Sequence, residues 1–134
     1  MKRFLFILSL ILMMISCDKP PINGDLDGMW KMTLIKYSNG EEITPKRIFF
    51  CIERNCIELN NKGESPCNYI GRMNKESDII TIDNVKDSNG NIKDIDKLKQ
   101  FGIFEMPAKF DIEKLNSSKL IIKSKDCILY FTKF

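Results

Sequence analysis

The sequence predicts an all-β chain: an eight-stranded antiparallel barrel with one short helix near 92–101, preceded by a signal peptide. Three observations carry this. Eight short segments are either alternating apolar and polar or rich in β-branched and aromatic residues. Polar turn clusters separate them, and a single long polar stretch carries a helical repeat instead. Eight strands suffice to close a small antiparallel barrel.

The N-terminus is a separate element. Lys2 and Arg3 precede an apolar run from Phe4 to Ile15, interrupted only by Ser9. Twelve residues make a helix of about 18 Å, short of a hydrocarbon core of about 30 Å. A positive start and an apolar stretch of this length characterise a secretory leader, so residues 1–16 are read as a signal peptide. The competing reading is a buried N-terminal helix of the domain.

The run ends in Met14-Ile15-Ser16-Cys17. This tetrad resembles the bacterial lipobox, with Ser16 as its small residue. The resemblance implies that Cys17 carries a thioether-linked diacylglycerol and becomes the new N-terminus. The alternative is an ordinary signal peptide with Cys17 as a free or disulfide-bonded thiol. Each buried methylene of an acyl chain contributes about 0.8 kcal/mol, and two or more chains hold a protein stably.

Residues 17–25 read as a lipidated tether. Pro20 and Pro21 favour extended polyproline geometry, so Asp18 to Asp25 holds the domain at most about 25 Å from the lipid. The expected location is therefore the cell envelope, lipid-anchored, with the outer membrane favoured over the inner. Asp18 by itself resembles an inner-membrane retention signal of enteric bacteria, but other phyla sort differently.

The domain, residues 26–134, supplies the strands. Trp30, Met32 and Leu34 alternate with Lys31, Thr33 and Ile35, and Ser38-Asn39-Gly40 reads as a turn. Ile48–Glu53 and Cys56–Leu59 flank Arg54-Asn55. Asn61-Lys62-Gly63 leads to Cys67–Met73, and Asp78–Asp83 is isoleucine-rich. Ala108, Phe110 and Ile112 alternate with Lys109, Asp111 and Glu113. Leu120–Lys123 and Cys127–Phe134 complete the set.

Between them, Ile92, Ile95, Leu98 and Phe101 recur every third residue, and Asn91 followed by Asp94 resembles a capped helix start. This helix either caps one end of the barrel or packs outside it. The connection containing it, 84–104, is long enough to be a lid or a functional loop.

Composition excludes several functions. The chain has 21 basic and 18 acidic residues; without Lys2 and Arg3 the count is 19 against 18. That balance argues against a nucleic-acid partner. With no histidine, imidazole triads and imidazole metal sites are ruled out. Glu41-Glu42 and Asp94-x-Asp96 lie in polar segments and read as solvated charge. No Gly-x-Ser-x-Gly motif and no phosphate loop is present. The expectation is a non-enzyme with no catalytic residues and no cofactor. Asp87-Ser88-Asn89-Gly90-Asn91 echoes a calcium loop, but its glycine is misplaced and its closing glutamate is missing, so it reads as a turn.

Asp25-Leu26-Asp27-Gly28-Met29-Trp30-Lys31 is similar to the Gly-x-Trp entry of lipocalin-like (calycin) barrels. The stretch from Phe110 to Ile122 and the ending Tyr130–Phe134 resemble the last strands of small lipocalin-like lipoproteins from Bacteroidetes-type bacteria. The resemblance implies that Gly28 bends the chain into the first strand and that Trp30 seals the closed end. The family's mid-chain Thr-Asp-Tyr is absent, and no arginine follows Arg72 to stack on the tryptophan. Lys125 or Lys133 is left for that place.

Cys51, Cys56, Cys67 and Cys127 are candidate disulfide cysteines, with three pairings open and an exported compartment that permits them. If Asn61-Lys62 is the hairpin tip, Cys56 falls opposite Cys67, leaving Cys51 with Cys127. Reduced core thiols are the alternative. A four-thiolate zinc site fits the spacing poorly, so no metal is expected.

Two functions remain. The barrel either binds a small apolar ligand, lined by residues such as Trp30, Met32, Phe49, Ile80, Phe110 and Phe131, or is filled by them. In the second case the chain is an envelope protein-interaction or inhibitor module.

Overall fold

Alternating apolar residues put one face of each strand on a common side, and the strands must then close to bury it. In β5 (Cys67–Glu76), for example, Tyr69, Gly71 and Met73 are buried while Ile70, Arg72 and Asn74 are exposed. The computed structural model describes residues 2, 3, 5, 7, 22–91 and 94–134. Cys17, the rest of the tether to Pro21 and most of the leader lie outside the described residues. No described helix is long and apolar enough to cross a membrane.

The other strands are β1 (Gly28–Tyr37), β2 (Glu42–Ile43), β3 (Ile48–Glu53), β4 (Cys56–Asn61), β6 (Ile79–Asp87), β7 (Ala108–Leu115), β8 (Lys119–Lys123) and β9 (Cys127–Lys133). All pairings are antiparallel between neighbours in an up-and-down meander, and β9 pairs back onto β1. Eight long strands thus form a closed barrel, matching the expected fold. The two-residue β2 is additional and pairs with Ile35 and Lys36 of β1.

Local chemistry sets the corners. Arg54 (φ 55°) and Ser77 (φ 55°) take left-handed backbone in the two-residue turns β3–β4 and β5–β6. Register shifts fall at Met32/Leu34, Ile70/Arg72 and Ile112/Lys114, as bulges do where a sheet curls into a barrel. At Gly71 an added Cβ would lie 2.9 Å from Val85 Cγ2 and 3.0 Å from the Asp83 carbonyl oxygen. Only glycine lets β5 and β6 approach there.

The helical segment differs from expectation in length and start. A single turn at Ile95–Leu98 continues as a 3-10 turn over Lys99–Phe101. Asp94, not Asn91, stands at its N-terminus. Asn91 instead closes the turn after β6: its carbonyl accepts from Asp87 N at 3.1 Å. The connection begins after Asp87 rather than at residue 84, because β6 runs four residues further than the isoleucine-rich segment suggests. Ile92 lies outside the described residues.

Candidate functional site: the barrel interior and its mouth

At one end the chain enters through a 3-10 turn, Gly24–Leu26, that tucks Leu26 into the core. The Trp30 ring is fully buried, and its Nε1 donates to the Leu26 carbonyl at 2.8 Å. Lys133 Nζ sits 4.3 Å from the centre of the Trp30 ring and donates to the carbonyls of Asp25 (2.9 Å) and Asp27 (2.6 Å). Of the two lysines left by the missing arginine, Lys133 takes the place. Lys125 pairs with Glu105 at the other end of the barrel, at 2.9 Å. Gly28 has φ 134°, and a Cβ on it would lie 2.7 Å from Lys133 Cε. The glycine is what admits the lysine to the tryptophan.

The opposite end is the mouth, where the long connection crosses. β6 and β7 pair only over Ile79–Ile82 and Ala108–Asp111, so the upper wall between them is left to the crossing segment. Leu98, Phe101 and Ile103 from that segment are at most 1% exposed and belong to the same apolar cluster as the strand residues. The Phe101 ring lies 6.3 Å from Phe50 and 5.9 Å, edge-on, from Tyr69, and Phe50 in turn packs 4.8 Å from Phe131. Aromatic pairs at these separations attract beyond their burial.

Polar contacts fix the segment to the rim. Asn61 Nδ2 donates to Gln100 Oε1 at 2.8 Å, and Gln100 Nε2 donates to the Lys97 carbonyl at 2.8 Å. Gly102 (φ 77°) turns the chain against β9, where an added Cβ would lie 2.5 Å from Leu129 Cδ2. The Cys127 thiol donates to the Gly102 carbonyl at 3.5 Å. A cleft between this segment and β7, lined in part by Phe104, Glu105, Lys109 and Ser124, holds about 10 Å³, the space of a single water. Among the described residues no charged residue is buried; the polar atoms of the buried set are those of Trp30, Tyr69 and Cys127, and Trp30 and Cys127 already donate to backbone carbonyls.

Most of the anticipated interior residues do face inward: Trp30, Met32, Ile80, Phe110 and Phe131 all join the cluster. Phe49 does not. It pairs with Lys31 and Asn60 on the outer face, covered by the Phe134 ring at 5.3 Å and the Lys62 ammonium at 5.3 Å. Phe50 takes the inner place. The run Ile48-Phe49-Phe50 is apolar on both faces, so alternation alone does not say which phenylalanine points in. Tyr69 also lines the mouth unanticipated. Its spacing of four from Met73, on one strand face, was the available signal.

Among the described residues, Cys51, Cys56, Cys67 and Cys127 are free thiols. The expected cross-strand register is not the observed one. Cys56 lies opposite Arg72 and Cys67 opposite Asn61, because β4 continues through Asn61 and the turn spans residues 62–66 rather than two residues at its tip. Cys127 is buried at the mouth, and burial pushes its thiol above the ordinary value despite the Ser124 hydrogen bond that lowers it. Cys51, half-buried on the outer wall, is raised by burial first and by Glu58 second. Tyr37 is raised by burial, then by Cys127 and Glu41. Neutral thiols are poor nucleophiles.

The remaining candidates are surface features. Glu42 pairs with Lys36 at 3.8 Å and Asp96 with Lys99 at 2.8 Å, both exposed. In the Asp87–Asn91 turn, Asp87 Oδ1 accepts the amides of Asn89 and Asn91 at 2.9 and 3.0 Å. Among the described residues, no group of three or more His, Cys, Asp or Glu side chains is placed to hold a metal ion.

The model of the family described as "Lipocalin-like domain" matches residues 11–134. The chain is similar to a solved lipocalin-like protein from Bacteroides uniformis, at 23% identity and a TM-score of 0.68, over 83% of this chain and 100% of that one. An uncharacterised protein from Bacteroides eggerthii is similar at 21% identity and a TM-score of 0.64, over 81% and 98%. These two likenesses concern the fold. No curated protein matches.

Proposed function

We propose, for a chain that belongs to the lipocalin-like domain family, a lipid-anchored envelope module whose barrel is a filled scaffold and whose work is done on its outer surface. The observation that carries this is the mouth, closed by Leu98, Phe101 and Ile103 as fully buried core. Clearing three such side chains costs about 1.5–3 kcal/mol each in lost burial. A ligand entering by that route would lose roughly three to six orders of magnitude in apparent affinity. The interior moreover buries no charged side chain among the described residues, and small-molecule sites use a few placed polar or charged groups to fix orientation.

Anchoring rests on the leader, on the Ser16-Cys17 junction and on the Pro20-Pro21 tether. Together they support Cys17 as the acylated N-terminus and the envelope as the location. The module is non-enzymatic, in keeping with the fold and with the Cys51 and Cys127 thiols pushed up by burial. A second reading, a carrier of a small apolar ligand, is favoured by the all-apolar interior and by a plug borne on a long connection. Titration with N-phenyl-1-naphthylamine separates the two. The filled scaffold gives no saturable fluorescence change, and one-to-one saturation at micromolar concentration or below establishes the carrier.

A further inference from the structure

The outer face of β7, β8, β9 and β1 carries a pattern set by strand register. In one row Lys36, Ile128 and Lys123 stand side by side, with Asp111 beyond. In the next come Leu34, Tyr130, Ile121 and Lys114. In the third, Lys31 and Lys119 flank Thr132. Leu34, Ile121, Ile128 and Tyr130 are partly exposed and lie outside the interior cluster. Five lysines therefore ring a four-residue apolar centre. Lys36 has an exposed partner in Glu42; the other four have no ion pair among the described residues. Glu42 and Asp111 stand at the two ends of the first row, so the five lysines meet two carboxylates within these three rows. On the opposite wall the signs balance: Glu58, Ile70 and Lys86 form one row, and Cys56, Arg72 and Asp83 the next.

We propose that the β7-β8-β9-β1 face docks on an anionic phospholipid leaflet. Lysine stems lie along apolar neighbours while their ammonium groups reach outward, and a tyrosine presents an apolar ring with a polar tip. Both suit a headgroup boundary. Lysines near an anionic leaflet add attraction one by one, and one lipid anchor plus a basic patch makes attachment stable. Point charges spread over three rows of a sheet fit a fluid sheet of phosphates. Reach supports the same occupant. The inference rests on the anchored reading of Cys17, from which Ile22 is at most about 18 Å away. The Lys31–Thr132–Lys119 row lies at that same closed end of the barrel.

The test is amine acetylation footprinting of the mature protein, reconstituted into phosphatidylcholine vesicles with or without phosphatidylglycerol. Lys31, Lys114, Lys119 and Lys123 are expected to label roughly fivefold or more slowly on the anionic vesicles. Lys46 and Lys86 are expected to be unchanged, and the protection should vanish in high salt. The K119E/K123E pair, at two exposed positions, is expected to abolish protection at Lys31 and Lys114 while leaving the melting temperature in place. Equal labelling on the two vesicle types overturns the proposal. So does protection in native membranes that pure anionic vesicles fail to reproduce, which assigns the face to a protein partner. The intact mass of the same sample reports the acyl chains separately. An unacylated mass with anionic-specific protection defeats the tether alone, and an acylated mass without protection defeats the docking alone.

Discussion

Replacing Phe101 by alanine tests whether the mouth is core or cover. The side chain is fully buried and packs against Phe50 and, edge-on, against Tyr69. Its transfer from water is worth about 1.5–3 kcal/mol. The vacated space adds about 24 cal/mol per Å³ of whatever fails to collapse, giving about 3–5 kcal/mol in total. At about 2.1 cal/mol/K per residue, a domain of about 110 residues loses roughly 13–22 °C in Tm. Urea unfolding followed by Trp30 fluorescence reads the loss, with an unchanged denaturant slope showing that both end states are preserved. A loss under about 1 kcal/mol, the range of surface substitutions, would refute the reasoning. It would mean that the crossing segment is not held in the barrel in solution.

Gly28→Ala is expected to destabilise by about 1–3 kcal/mol, since it combines a strained φ with a clash against Lys133; thermal unfolding reads it. Lys133→Met removes the ammonium from the Trp30 ring and from two carbonyls, and a loss of about 1–3 kcal/mol is expected. In the double variant the two losses should fall short of additive, because the part of the clash that falls on Nζ, at 2.7 Å, disappears with the ammonium group; strict additivity contradicts the shared geometry. Stability is expected to be flat through neutral pH and to fall above about pH 9. Cys127, Cys51 and Tyr37 all titrate higher folded than unfolded, so the unfolded chain releases protons first and gains from rising pH. Unfolding at pH 7 and pH 10 checks the sign, with the triple Cys51→Ser, Cys127→Ser, Tyr37→Phe variant expected to flatten the slope.

Strands were legible wherever one face is polar. Ala108, Phe110 and Ile112 against Lys109, Asp111 and Glu113 define both the strand and its inner face. Legibility failed where both faces are apolar, as at Ile48-Phe49-Phe50, and where strand ends are polar. β5 reaches Glu76 and β6 reaches Asp87 through residues that look like turn, held by partners distant in sequence. The same blindness to the true end of β4 displaced the Cys56–Cys67 register by several residues. At the closed end, Gly28 and Trp30 stood out as a triplet, but choosing between Lys125 and Lys133 needed the register that brings β9 beside β1. At the mouth, the spacing of Leu98 and Phe101 marked an apolar stripe. Its inward placement depends on Gly102 turning the chain against Leu129, a contact between residues that no local pattern connects.

The most direct test of a lipid-anchored, filled barrel is native mass spectrometry of the mature protein taken from its own membranes. The account predicts a chain beginning at Cys17, carrying two or three acyl chains and no further bound molecule. A mass without acyl chains, or one retaining a stoichiometric apolar ligand after detergent exchange, contradicts it.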